Sequence, residues 1–144
     1  MDASTPITVT FHSISDQSGQ NEETQFSALG NLYEKETAIY IRYDEEINES
    51  DKVNTTIKIT NDDATIIRRG AVSMRQQFIP GTLTAGTYGS VYGPIQIAMD
   101  TKTMEFDWNE RTKRGSLSLE YDVLFEGEKT GRHQLSIKLK GEST

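Results

Sequence analysis

Four polar side chains stand in line with apolar ones at every second position. Arg68 follows Ala64 and Ile66, Gln76 lies between Met74 and Phe78, Tyr43 follows Ile39 and Ile41, and Tyr121 follows Leu117 and Leu119. Alternate residues of an extended strand share a face. If these faces point inward, the polar groups go with them. A buried guanidinium needs a carboxylate or several acceptors. It can find them in the chain itself, with Glu45, Glu46 and Asp122 as candidates. It can also find them in a ligand, because its planar fork of donors grips an anionic headgroup bidentately. Arg68, Tyr43, Tyr88 and Gln76 are therefore the candidate ligand-binding residues, with an internal ion pair or exposure at a rim as the alternative for Arg68.

Other constellations are thinner. His12 and His133, the two histidines, fall in the first and last expected strands, which closure of a sheet would bring together. Two imidazoles without a placed carboxylate are a poor metal site, and no metal is expected. Asn61-Asp62-Asp63 and Asp44-Glu45-Glu46 cluster oxygen ligands but lack the spaced loop of an EF-hand, and read as solvated turns. No Ser occupies a Gly-x-Ser-x-Gly elbow, although a Ser–His–carboxylate set can assemble in space from distant residues. The Gly-rich run from Gly86 to Gly93 does not open a helix, which a phosphate-cradling loop requires. It reads as a bent strand or bulged hairpin. With no Cys, disulfides, thiolate catalysis and Cys-ligated zinc or iron–sulfur centres are excluded. No catalytic residue and no cofactor is expected.

These residues sit on a ladder of alternation that runs along almost the whole chain. Ile7/Val9/Phe11, Phe26/Ala28/Gly30/Leu32, Val53/Thr55/Ile57/Ile59, Ile95/Ile97/Met99, Met104/Phe106/Trp108 and Leu135/Ile137/Leu139 each mark one face of a strand. Turn clusters separate them: Asp16 to Asn21, Glu34-Lys35-Glu36, the acidic Glu45 to Lys52, Asn61 to Asp63, Pro80-Gly81, Asn109 to Gly115 and Glu126 to Lys129. Thr101-Lys102-Thr103 reads as a bend, and Thr82 to Tyr92 is the weakest segment. All connections are short, so neighbours should be antiparallel and in up-and-down order. An open sheet would leave two bare edges, and closure removes them. The expected fold is all-β: a single closed up-and-down antiparallel β-barrel over residues 1–144, of about ten strands, or eight if some segments are bulged continuations.

Composition narrows the partners. The chain has 15 Lys and Arg against 22 Asp and Glu, a net charge of −7. Polyanionic backbones are bound by clustered basic residues, and here these are scattered. Neither nucleic acid nor an anionic membrane is expected as a partner. The segment Met1 to Pro6 lacks the basic and apolar regions of a signal peptide, and no apolar run approaches the roughly 20 residues of a membrane span. The expected compartment is the cytoplasm. Asn48-Glu49-Ser50 and Asn54-Thr55-Thr56 match glycosylation acceptors, which mean nothing without secretion.

Several motifs resemble those of the YwiB-like family of bacterial β-barrel proteins. Ile39 to Glu46 resembles its Tyr-x-x-Tyr-x-Glu-Glu strand end. Arg68-Arg69-Gly70-Ala71-Val72-Ser73-Met74 resembles its Arg-Ser-Gly-Ala-Val-x-Met segment, with Phe78 as the following aromatic. Tyr88 to Gly93, Thr101-Lys102 and Tyr121-Asp122 match later elements in order. Arg69 departs from the family's Ser. The resemblance implies a lipocalin-like, calycin-like barrel in the bacterial cytoplasm and implies no activity. The Gly-x-Trp signature of true lipocalins is absent, since the single Trp is Trp108, late in the chain.

A barrel of eight to ten strands is filled by side chains or holds one small ligand. The leading expectation is a non-enzymatic barrel that binds a small, partly apolar ligand, anionic in one version, in its lumen. The rivals are an interaction or structural module with a packed lumen that acts through its surface, for example as a homodimer, and an enzyme with acid–base residues inside.

Overall fold

The alternation produces ten strands and no helix in the computed structural model, which describes residues 4–17, 19–46, 51–90 and 93–141. They are β1 (Ser4–Gln17), β2 (Gln20–Glu34), β3 (Ile39–Glu46), β4 (Lys52–Ile59), β5 (Ala64–Gly70), β6 (Ser73–Phe78), β7 (Leu83–Ser90), β8 (Gly93–Asn109), β9 (Arg114–Phe125) and β10 (Glu128–Gly141). Each pairs antiparallel with the next. β1 also pairs with β10 through Ile7↔Gly141, Val9↔Leu139 and Phe11↔Ile137, so the sheet closes into a barrel in up-and-down order. The expected all-β closed barrel is the one observed, with ten strands rather than eight.

One side-chain parity fills the interior. Val9, Leu32, Ile41, Ile57, Phe78 and Ile137 have no exposed surface. The strands outrun the apolar patterning. β1 continues to Gln17 and β2 begins at Gln20, so the turn within Asp16 to Asn21 is much tighter than its polar composition suggests. Residues there pair because a ladder satisfies backbone groups whether or not the side chains are apolar. The Asn109 to Gly115 turn contracts in the same way, closed by Asn109 Oδ1 accepting from the Arg111 and Thr112 amides. The weak segment is strand β7 as far as Ser90, while Val91 and Tyr92 lie outside the described residues.

The bend at Thr101-Lys102-Thr103 is a bulge inside a single strand. The β8–β9 register shifts between Thr101 and Thr103. Before it, Met99 and Thr101 face inward; after it, Met104 and Phe106 do. The extra residue changes the parity and keeps both apolar runs on the core side.

Gly70 closes the Arg68-x-Gly70 motif at φ +121°, where a β-carbon would collide with the Lys52 carbonyl oxygen. Both the dihedral and the contact require glycine. Gly70→Ala should lower the unfolding free energy by about 2 kcal/mol, measured by urea denaturation. An unchanged midpoint would contradict this account of the motif.

Candidate functional site

A single rung of the ladder crosses five strands. Tyr43 on β3 pairs with Thr55 on β4, Thr55 with Arg68 on β5, Arg68 with Met74 on β6, and Met74 with Tyr88 on β7. Because paired residues share a face, Tyr43, Arg68 and Tyr88 have the same inward parity, with Tyr43 buried, Arg68 half-buried and Tyr88 39% exposed at the rim. Gln76 lies one inward step along β6, between Ile66 and Gly86. Gly86 makes room for it, since a β-carbon there would crowd the Gln76 Cγ at 3.1 Å. The four candidate residues thus come together at one end of the lumen, beside the β3–β4, β5–β6 and β7–β8 connections.

The Arg68 carboxylate partner is Glu45, one of the three candidates. Arg68 Nη2 lies 3.3 Å from each Glu45 oxygen, and Thr55 Oγ1 donates to Glu45 Oε1 at 3.5 Å. The side chains are 24% and 17% exposed. Charge-assisted contacts of this kind normally measure about 2.7–2.9 Å, so the pair is loose. Arg68 Nε is buried with no hydrogen-bond partner among the described residues. Gln76 is 6% exposed. The Tyr43 hydroxyl, bonded to Thr55, is held well above its ordinary pKa by burial and then by the Glu45 charge.

Sequence reasoning gave no role to several neighbours. Tyr121 stacks on His133 (5.3 Å between centroids) and tilts against Phe78 (4.7 Å) on the inner wall. Burial pushes the Tyr121 hydroxyl up to about 12. Thr101 is fully buried with an unpartnered Oγ1. Thr55 and Thr101 were detectable in principle, since each continues an apolar alternation (Val53/Thr55/Ile57; Met99/Thr101).

The other constellations disperse. Closure does bring the strands of His12 and His133 together, but their parity differs: His12 pairs with Ser136 and His133 with Ser15. His133 faces inward, whereas His12 faces outward, 2.7 Å from Glu23. Ser136 stands opposite His12 without a hydrogen bond to it among the described residues. No group of three or more metal-ligating side chains occurs among the described residues. Asp44 faces outward and accepts from Asn54, away from Glu45. Asp63 is engaged by Thr60 and Gln77, whose hydrogen bonds hold its carboxyl below the usual range. Asp122 is buried on the outer wall under Arg132, Lys129 and Lys102, not beside Arg68. Asn48-Glu49-Ser50 lies outside the described residues.

A recess of about 860 Å³ lies where β8 and β9 are unpaired, lined by outward residues such as Leu83, Ala85, Pro94 and Leu124 and by the inward Gly86, Ile95 and Ile97. None of Arg68, Tyr43, Tyr88 and Gln76 borders it.

A family model described as a domain of unknown function, DUF1934, matches residues 9–137. The uncharacterized beta-barrel protein YwiB of Bacillus subtilis (strain 168) is 30% identical over 141 residues, covering 98% of this chain and 97% of that protein. The crystal structure of the Bacillus subtilis ywiB protein superposes with a TM-score of 0.85 at 29% identity, covering 97% of this chain and 94% of that one.

Two outcomes follow from the buried polar groups. Thr101→Val should raise the unfolding free energy by about 1 kcal/mol, because it removes an unsatisfied buried hydroxyl at constant shape. A loss of stability on denaturant titration would refute this. Burial also lowers the His133 pKa, against a smaller upward pull from Asp122. The unfolded chain therefore binds the proton first, and stability is intact above the ordinary histidine value of 6.5 and falls as pH drops below it. Hydrogen bonds from Arg132 chiefly hold Asp122 below its ordinary 3.8, so its contribution is lost only at lower pH, as the carboxyl protonates. His133→Phe should flatten the loss of stability between about pH 7 and 5 while leaving the steeper acid limb below about pH 4, as read from urea midpoints.

Proposed function

Within the DUF1934 family, to which this chain belongs, we propose that the protein is a non-enzymatic binder of a small, partly apolar molecule that carries an anionic head group. The molecule sits at the polar end of the lumen, held by Arg68 and Gln76 and flanked by Tyr43 and Tyr88. The observation that carries this reading is one idle donor on a loose ion pair. The buried Arg68 Nε has no hydrogen-bond partner among the described residues, Arg68 Nη2 reaches Glu45 only at 3.3 Å, and the 6% exposed Gln76 lies on the same inner wall. An unsatisfied buried polar group costs about 1–3 kcal/mol, a cost that a ligand's anionic head group on Arg68 would offset. The opposite end is packed with apolar side chains such as Leu117, Ile59 and Leu139, so a ligand belongs at the polar end.

The outward-facing side chains fit a soluble molecule. Arg42, Lys58, Arg75 and Lys138 stand on strand positions of outward parity and are exposed, where a lipid-facing barrel would carry an apolar band. No helix among the described residues is long and apolar enough to cross a membrane. A cysteine-free chain suits the bacterial cytoplasm, the compartment this reading assigns.

The recess favours a second reading, an interaction module. Residues 94–97 of β8 pair with β7 on one side, while the register with β9 begins only at Ala98↔Leu124. An extended segment of a partner, or of a second copy, fits such an edge by strand addition. The enzyme reading draws less support. The carboxylate pair in contact is Glu34 with Glu110, at the other end of the barrel, where burial raises the Glu34 pKa with Glu110 adding to it.

Native mass spectrometry of protein taken directly from its producing cells separates the readings. The wild type should carry a small-molecule adduct. Gln76→Leu should lose it, because the amide that completes the head-group site is gone. Bare protein in repeated preparations, accompanied by an intact dimer, would support the interaction module instead.

A further inference from the structure

Resting on the lumen-binding reading, we propose that the bound molecule is a small zwitterion with an apolar side chain, of the α-amino-acid class. Its carboxylate sits on Arg68 and Gln76 and its ammonium on Glu45. The site presents both halves of the complement at once. Among the described residues Arg68 uses a single nitrogen, Nη2, while its buried Nε has no partner. Among the described residues Glu45 receives only long contacts, at 3.3, 3.3 and 3.5 Å. An ionised carboxylate has about four acceptor positions, so Glu45 has capacity for a closer cation. The fully buried Thr55 ties Glu45 to the wall.

Charge balance selects between ligand classes. The lumen pair is one cation and one anion, and together they are neutral. A simple carboxylate or a phosphate brought to Arg68 lies within a few ångströms of Glu45, and like charges at that range oppose binding. A lone amine meets Arg68 in the same way. A molecule that carries both heads meets each with its opposite. The rung supplies the rest: Met74, Tyr88 and Ile95 continue the wall beside Arg68, and an apolar side chain packs there. The 6% exposed Gln76 amide, one step deeper, both donates and accepts.

Three probes that share one ring and differ only in their heads test this by titration calorimetry: phenylalanine, phenylpropanoate and phenethylamine. Phenylalanine should bind the wild type at least about tenfold more tightly than either one-headed analogue. Glu45→Gln should erase the advantage of phenylalanine over phenylpropanoate. The double variant Arg68→Met/Glu45→Leu replaces the pair with apolar groups, an exchange that buried ion pairs tolerate, and should bind none of the three. Phenylpropanoate binding the wild type as tightly as phenylalanine would overturn the zwitterion. If the double variant abolished that binding, the lumen site itself would stand. Absence of heat from all three probes up to about 10 mM also overturns the zwitterion. The native mass spectrum then decides the broader reading, since an adduct keeps it and bare protein ends it.

Discussion

The contact between the first strand and the last decides what counts as inside. Once Ile7 to Asp16 pairs with Arg132 to Gly141, the sheet has no free ends, and each strand's register is tied to its two neighbours. Because side chains alternate strictly, a slip of one residue at any pairing would turn a strand's apolar face outward. The seam therefore fixes Val9 and Ile137 in the core. Through ten linked registers it also fixes Arg68 and Gln76 on the inner wall. The polar cluster is a consequence of topology, since nothing local to β5 or β6 states which face is inner.

Parity is then adjusted in two places, and one residue lies between them. β8 shifts register at Thr101/Thr103 and β10 at Lys129/Gly131. Asp122, on the strand between, pairs with Asp100 and Arg132 and is 1% exposed on the outer wall. It accepts from Arg132 Nε at 3.0 Å and lies 3.1 Å from the Lys129 ammonium and 4.0 Å from that of Lys102. Burying a lone carboxylate is costly, and three cations from both bulged neighbours offset that cost. The bulges bring Lys102 and Lys129 over the carboxylate. The same shift that returns Met104 and Phe106 to the core thus supplies counter-charges to the wall.

Most of the architecture was legible because period-two alternation is a property of single strands. Val53 to Ile59 or Leu117 to Phe125 reveals its face without reference to any neighbour. Short connections then imply antiparallel order, and bare edges imply closure. Strand ends were less legible. Ser13 to Gln17 and Gln20 to Thr24 are polar and look like a loop, yet they pair for backbone reasons that leave no mark in side-chain composition. The inward set of Arg68, Gln76 and Tyr43 could be read from alternation, but the choice of Glu45 over Glu46 or Asp122 could not. It depends on which of two adjacent glutamates faces in, and the rung Tyr43–Thr55–Arg68 sets that. His12 and His133 teach the converse: neighbouring strands do not make neighbouring side chains when their parity differs.

The closing seam also shapes how the molecule is reached from the unfolded chain. Nine of its ten pairings join strands consecutive in sequence, and such hairpins zip from their turns at small entropic cost. The tenth joins residues near positions 7 and 141, and that long loop is closed against chain entropy after the hairpins have formed. Until then β1 and β10 are bare edges of a nearly complete sheet, each built to receive the other. At high concentration the partner within reach belongs to another molecule as readily as to the same one. Exchange of terminal strands between copies is therefore the misassembly to which this topology is most exposed.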